Sequence, residues 1–356
     1  MTTEAVARWR LRSLLLTPPQ RSSAAAVATH FGAMQAQDLA SGLWSFGSRL
    51  PELSREDICT QVNRRELLRT WTQRGTLHFV AAQDARWLLA TCGRRHHRRS
   101  RRQQLGITDA QADRAAEILQ DSLCGNRSLS RREVAQLLQE RGVDATGQRL
   151  YHLLLHTALS GLTCYGPIVD DEQSIVLLAE WAPQQREFTG DAALGELARR
   201  YFRSHGPASR ADFAHWAGFG HRDAGVGIAV AAAGLKTVEC DGRELLLDPA
   251  TEAGPATGHV NVVAPYDEFL LGYADRSAAV AEDKTGAVMP GGGVFRAIVV
   301  RDGVAFGTWR RSVREDFVSV EVSLLWTPDS QTLDRMECAF ERYGAFLNRT
   351  VRLRIR

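Results

Sequence analysis

The chain has 356 residues at 39.4 kDa, is 44% hydrophobic and carries a formal net charge of +3, so it can fill two or three domains with real cores. No apolar run approaches the ~20 residues that cross a bilayer; Leu14-Leu15-Leu16 is cut off by Pro18-Pro19 before it could form a signal-peptide core, and a cytoplasmic, nucleoid-associated protein with no membrane partner is expected. Cysteines 59, 92, 124, 164, 240 and 338 are nowhere closer than 32 residues, which excludes C-x-x-C redox or metal motifs and a disulfide framework; no metal and no cofactor are expected.

In chain order, the first informative stretch is a helix capped by Ser22/Ser23, with Val27, Phe31 and Met34 on its apolar face. It is expected to end in Met34-Gln35-Ala36-Gln37-Asp38, before a turn at Ala40-Ser41-Gly42. Two glutamines around a small residue at a helix terminus either aim both amides into one cleft or form a polar, solvated helix end. The residues alone leave both readings open.

A threefold repeat follows. Ser54-Arg55-Glu56-Asp57-Ile58, Ser130-Arg131-Arg132-Glu133-Val134 and Ser209-Arg210-Ala211-Asp212-Phe213 share the template Ser-Arg-x-acid-apolar, with starts 76 and 79 residues apart. Each reads as a capping box, in which the serine hydroxyl takes the N3 amide and the N3 acid reaches back. Each box opens an amphipathic stretch, and two β-like runs come after it. The first pair is 68–72 and 76–80 around Gln73-Arg74-Gly75; the second is 162–165 and 175–178 with a loop at Asp170-Asp171-Glu172-Gln173. The third is 236–240 and 243–247 around Asp241-Gly242. Helix, capped helix, helix, β-hairpin is the order of a winged helix, so three tandem units are expected near 1–90, 105–182 and 190–250. The last hundred residues turn β-rich, at 261–264, 294–300, 304–308 and 317–325, and close with a helix at 330–347 and a strand at 351–355. The expected fold is therefore α+β: winged helix 1 at 1–90, a basic segment with winged helix 2 at 91–182, winged helix 3 at 183–254, and a barrel-like β-rich domain at 255–356.

Charge sharpens the reading towards nucleic acid. Arg94, Arg95, Arg98, Arg99, Arg101 and Arg102 fall within nine residues, and no acid interrupts between Asp84 and Asp109. Guanidinium forks match phosphate oxygens, so the run reads as a phosphate-tracking element, against the alternative of a solvated helix face. On the first hairpin, Trp71, Arg74 and His78 are candidates to meet a DNA groove or its phosphates, or alternatively a packed Trp, a surface Arg and a hydrogen-bonded His. Asp38, Asp267 and Arg276 are candidates to line a cleft, with Asp267, Glu268 and Arg276 alternatively forming a structural ion-pair cluster.

Several stretches together resemble the AlkZ-like family of bacterial winged-helix DNA glycosylases: Gln35-Ala36-Gln37-Asp38, the segment Arg69-Thr70-Trp71-Thr72-Gln73-Arg74-Gly75-Thr76-Leu77-His78, Pro265-Tyr266-Asp267-Glu268-Phe269-Leu270-Leu271-Gly272-Tyr273-Ala274-Asp275-Arg276, and Gly307-Thr308-Trp309-Arg310-Arg311. The resemblance spans residues 30–311. It implies three winged helices with a β-barrel-like end, and hydrolysis of an N-glycosidic bond with Gln35 and Gln37 holding the attacking water. Glutamine rather than aspartate at position 37 implies the narrower, self-resistance branch acting on bulky N7-alkylated purines, interstrand crosslinks included.

The chemistry is consistent with that implication. An amide donates and accepts hydrogen bonds but takes no proton near pH 7, so such a site orients water without supplying a strong base. That suffices where the leaving group departs easily, as a cationic N7-alkylated purine does. Only two of the 44 basic residues are lysines, Lys236 and Lys284, which disfavours imine chemistry and strand cleavage. The expected partner is double-stranded DNA with alkylated purines, bound by a monomer. The competing expectation is a non-catalytic winged-helix DNA-binding regulator, which would ordinarily dimerise on a palindrome.

Overall fold

All three Ser-Arg-x-acid boxes close reciprocally. Ser54, Ser130 and Ser209 accept the amides of Asp57, Glu133 and Asp212 on their hydroxyls, and each acid accepts the serine amide in return. Removal of such a cap costs about 1 kcal/mol, and the three boxes open helices in corresponding places of the chain.

The computed structural model describes residues 1–18, 21–93, 99–252 and 258–356. Its elements begin with α1 (Thr3–Ser13), α2 (Ala24–Phe31), the two-residue β1 (Met34–Gln35), α3 (Leu39–Gly47) and the capped α4 (Arg55–Asn63). The hairpin β2 (Leu67–Trp71) and β3 (Leu77–Ala81) follows, then α5 (Ala85–Thr91) and α6 (Arg99–Gln104). The second repeat runs α7 (Asp109–Leu123), α8 (Arg131–Glu140), α9 (Gln148–Leu159), β4 (Thr163–Val169), β5 (Glu172–Leu177) and the short α10 (Leu178–Trp181). The third runs α11 (Gly190–His205), α12 (Arg210–Ala217), α13 (His221–Ala231), β6 (Lys236–Cys240) and β7 (Arg243–Leu247). The remainder comprises β8 (Val260–Val263), α14 (Glu268–Leu271), α15 (Thr285–Val288), β9 (Ala297–Arg301), β10 (Val304–Val313), β11 (Phe317–Leu324), α16 (Ser330–Phe346) and β12 (Thr350–Ile355).

The second hairpin departs from expectation. In place of a four-residue loop, β4 and β5 run up to a two-residue turn, with Asp170 and Asp171 both at positive φ (48° and 64°). Asp241 and Gly242 do the same between β6 and β7, at 50° and 74°. Turns of this hand match the twist of the flanking strands, and Asp tolerates the left-handed region better than most residues.

Contacts divide the chain into two compact units, Met1–Ile58 with Asp191–Arg356, and Cys59–Gly190. Within the second, the strands lie in the order β3-β2-β4-β5, and β2 and β3 are buried throughout. Within the first, β12-β11-β10-β9-β8 form a curled half-barrel sheet. All pairs are antiparallel except β11 with β12. Val318, Val320 and Val322 of β11 are fully buried, and the Trp309 ring of β10 packs against Phe340 and Tyr343 of α16. No helix among the described residues is long and apolar enough to cross a membrane. The six cysteines are unbridged, four of them buried.

One buried histidine in α2 ties fold stability to pH. His30 Nε2 donates to the Ser13 carbonyl at 2.8 Å, and Arg21 donates to Nδ1 at 3.2 Å. Burial is the main cause that lowers its pKa from 6.5 to about 3; the Ser13 bond opposes it, and the charges of Arg203 and Arg21 reinforce it. Between about pH 6.5 and pH 3 the unfolded chain binds a proton at this position that the folded chain does not, so His30 costs stability as pH falls, by about 1.4 kcal/mol per unit. Urea unfolding at pH 7 and pH 5 should show wild type losing about 2 kcal/mol more than His30→Gln. Equal losses would refute this.

Candidate active site

Gln35 sits on a short extended segment and Gln37 in the bend just after it, which corrects the expected helix terminus. Gly32, at φ +84°, ends α2 with its amide on the Ala28 carbonyl, a conformation that glycine adopts without strain. The chain then extends through Met34 and Gln35. Met34 and Ala36 are each 1% exposed and anchor the segment, whereas Gln35 is half-buried and Gln37 is exposed. Asp38 is exposed too, but its carboxylate caps α3, with Oδ1 accepting the Ser41 amide at 2.8 Å.

A buried carboxylate supports the segment from behind. Glu268 is 1% exposed. Its Oε1 accepts the Gln35 backbone amide at 3.0 Å, and its Oε2 accepts Trp216 Nε1 at 2.9 Å and faces His205 Nε2 at 3.3 Å. Burial pushes the His205 pKa down, against the opposing Glu268 bond, and its Nδ1 meets Ser204 Oγ at 2.8 Å. Next along the chain, Asp267 receives both terminal nitrogens of Arg49 at 2.8 Å and caps α14 through the Phe269 amide. Asp267 is therefore a buried structural partner of Arg49 and not a cleft-lining acid, which corrects that expectation.

A cleft of about 710 Å³ opens beside Asp38. Its walls include Arg296, Arg310, Arg311, Arg356 and Glu321. Arg310 Nε donates to Glu321 at 2.9 Å. That bond, and then the charges of Arg310, Arg356 and Arg354, hold the Glu321 carboxyl below its usual range. Trp309 borders the cleft as part of the core, its indole bonded to the Val263 carbonyl. Arg276 is not among the cleft residues; it donates to the Leu270 carbonyl and stacks over Phe295.

The first-hairpin candidates divide. Trp71 is 1% exposed, bonded through Nε1 to the Tyr151 hydroxyl at 3.1 Å and packed edge-on against that ring. His78 is fully buried, with Nδ1 at 2.9 Å from the Thr76 carbonyl. Neither side chain is presented to a groove, because both faces of this hairpin are covered. Arg74 stands half-buried at the turn, at φ 53°.

The basic run divides as well. Arg94, Arg95 and Arg98 lie outside the described residues, and Arg99 opens α6. Arg101 is exposed and bonded to Gln104 and Gln148. Arg102 is buried, bonded to His156 and paired with Asp109 at 3.1 Å, so it serves the fold and not a phosphate. No cluster of metal-ligating side chains occurs among the described residues.

Sequence reasoning passed over the arginines of the cleft. For Arg356 the available signal was the alternation Val351-Arg352-Leu353-Arg354-Ile355-Arg356, a period-two pattern that puts these three arginines on one face of a strand.

Comparison with known proteins accords with this geometry. The chain is 24% identical over 345 residues, 91% of its length and 90% of the relative's, to the "Interstrand DNA cross-link repair glycosylase" of Streptomyces sahachiroi. Its fold is similar to that of Streptomyces sahachiroi DNA glycosylase AlkZ, with a TM-score of 0.81 at 20% identity and full coverage of both chains. The family model for DNA glycosylase AlkZ-like proteins matches residues 28–346, and the chain therefore belongs to the AlkZ-like DNA glycosylase family.

Proposed function

We propose that this protein is a monofunctional DNA glycosylase that hydrolyses the N-glycosidic bond of bulky N7-alkylated purines, interstrand crosslinks among them, as self-resistance to a DNA-alkylating natural product. The observation that carries the reading is the Gln35-Ala36-Gln37 segment: a family member in which both glutamines lie outside the core while Met34, Ala36 and Glu268 fix the backbone beneath them. In this reading the two amides hold one water against C1′ of the damaged nucleotide. The water oxygen bonds to C1′, the C1′–N9 bond breaks, and the bonding pair neutralises the cationic alkylpurine as it leaves. The water proton passes to solvent, so no strong base is needed, and an abasic sugar remains.

The orders α7-α8-α9-β4-β5 and α11-α12-α13-β6-β7, each with a capping box at its second helix, support reading the chain as tandem winged helices at 1–90, 91–182 and 183–254, followed by the β-rich 255–356. Duplex contacts are assigned to Arg74 and to the run Arg94, Arg95, Arg98, Arg99 and Arg101, in a monomer.

The test is incubation of wild-type protein with a duplex carrying one bulky N7-alkylguanine, with a 7-methylguanine duplex for comparison. Free base is measured by mass spectrometry and abasic sites by alkali. Base release without strand breaks before alkali is expected. Tight binding with no release from any N7 adduct would make the chain a DNA-binding protein and not an enzyme.

A further inference from the structure

The edge strand of the C-terminal sheet carries a regular row of charge. Thr350, Arg352 and Arg354 of β12 and Arg356 just after it are exposed, while Val351, Leu353 and Ile355 alternate with them and are half-buried. Arg356 continues the pairing past the strand, its amide on the Val322 carbonyl. The register brings Arg354 opposite Glu321, and Glu321 opposite Arg310 on β10, so Arg310 joins the same face. The side chains of Arg310 and Arg356 are 75% and 56% exposed. Arg352 is steadied by stacking over Phe317 at 3.6 Å. Four arginines thus share this face with the carboxylate of Glu321, and Asp38 borders the cleft at its end.

Alternate residues of a strand lie about 6.5–7 Å apart, roughly twice the 3.4 Å axial rise per phosphate of one DNA strand. The row ends at Arg356, which shares the cleft with Asp38, the residue after Gln37. We propose that Arg352, Arg354 and Arg356, with Arg310, form a phosphate-tracking ladder that binds the backbone of duplex DNA and leads it to the cleft beside the glutamine segment. The choice of DNA as occupant rests on the glycosylase reading; the ladder itself rests on alternation, exposure and charge.

The test is a salt titration of affinity for an undamaged duplex. It compares wild type with one chain carrying Arg352→Gln, Arg354→Gln and Arg356→Gln, and with its counterpart carrying Lys at all three positions, each checked for fold by circular dichroism. Each neutralised phosphate contributes a slope of about 0.9 in log K against log salt. The Gln variant should therefore show a slope shallower by about 2–3, while the Lys variant keeps the wild-type slope. An unchanged slope in a folded Gln variant overturns the ladder, most plainly if that variant also self-associates, since edge arginines would then serve only to keep the sheet edge from pairing. Loss of the slope in the folded Lys variant overturns it too, and so does a wild type that binds no duplex. Base release from the lesion duplex is scored separately: a shifted slope without release sinks the glycosylase reading alone, and release with an unshifted slope sinks the ladder alone.

Discussion

Gln37→Ala is expected to lower single-turnover base release from an N7-alkylguanine duplex by roughly 10²-fold, while melting temperature and affinity for undamaged duplex stay at wild-type values. Gln37 is exposed, so its removal opens no cavity in the core; what is lost is one of the two amides proposed to orient the water. Gln35→Ala should fall similarly, because the backbone amide that Glu268 holds remains in place. If the amides grip a single water together, the double variant should lose little more than either single one, as groups that act as a unit are strongly non-additive. Strictly multiplicative losses would show that the glutamines work independently. Retention of most of the activity in both single variants would remove them from the chemistry.

Asp267→Ala is expected to cost about 3–5 kcal/mol, because it leaves a guanidinium buried without its counter-charge. Arg49 is wholly buried, and besides Asp267 it donates to the carbonyls of Leu14 and Ser45, so it cannot swing out to water. The same substitution removes the cap of α14, whose first residue is Glu268. Thermal melting should show a drop on the order of 10 °C. Replacing both partners with apolar residues of similar size, Arg49→Met with Asp267→Leu, should recover much of that loss, since breaking a buried pair costs more than removing it. A single variant that melts within about 2 °C of wild type would refute the assignment.

Local chemistry was legible in the sequence wherever the determining partners lie within a few residues. The three capping boxes needed only a serine and an acid three residues apart, and the Asp241-Gly242 turn needed only its own φ preferences. The glutamine segment was misplaced on a helix end because Val27, Phe31 and Met34 fit a helical period. That period ignores Gly32, whose positive φ stops α2 three residues before Gln35. Trp71 and His78 looked like groove contacts because one hairpin by itself has an open face, and that face is closed by residues far along the chain, such as Tyr151 and Tyr165. Arg102 belonged by composition to a phosphate-binding run, but Asp109 and His156 claim it. Glu268 was visible as a residue, yet its task as the support of Gln35 depends on a contact 233 positions away, beyond the reach of any local pattern.

Ala36 gives the motif its parity. With its side chain turned into the core and its neighbours outside, it acts as a spacer whose single residue keeps both glutamines on the solvent side, because successive side chains of an extended segment alternate in direction. Inserting or deleting one residue here would swap inside for outside, and a bulkier middle residue would have to lift the whole segment off its seat. The middle position of the segment is thus its most confined one: it sets no chemistry of its own, yet it decides whether the two carboxamides beside it can reach the same point in space.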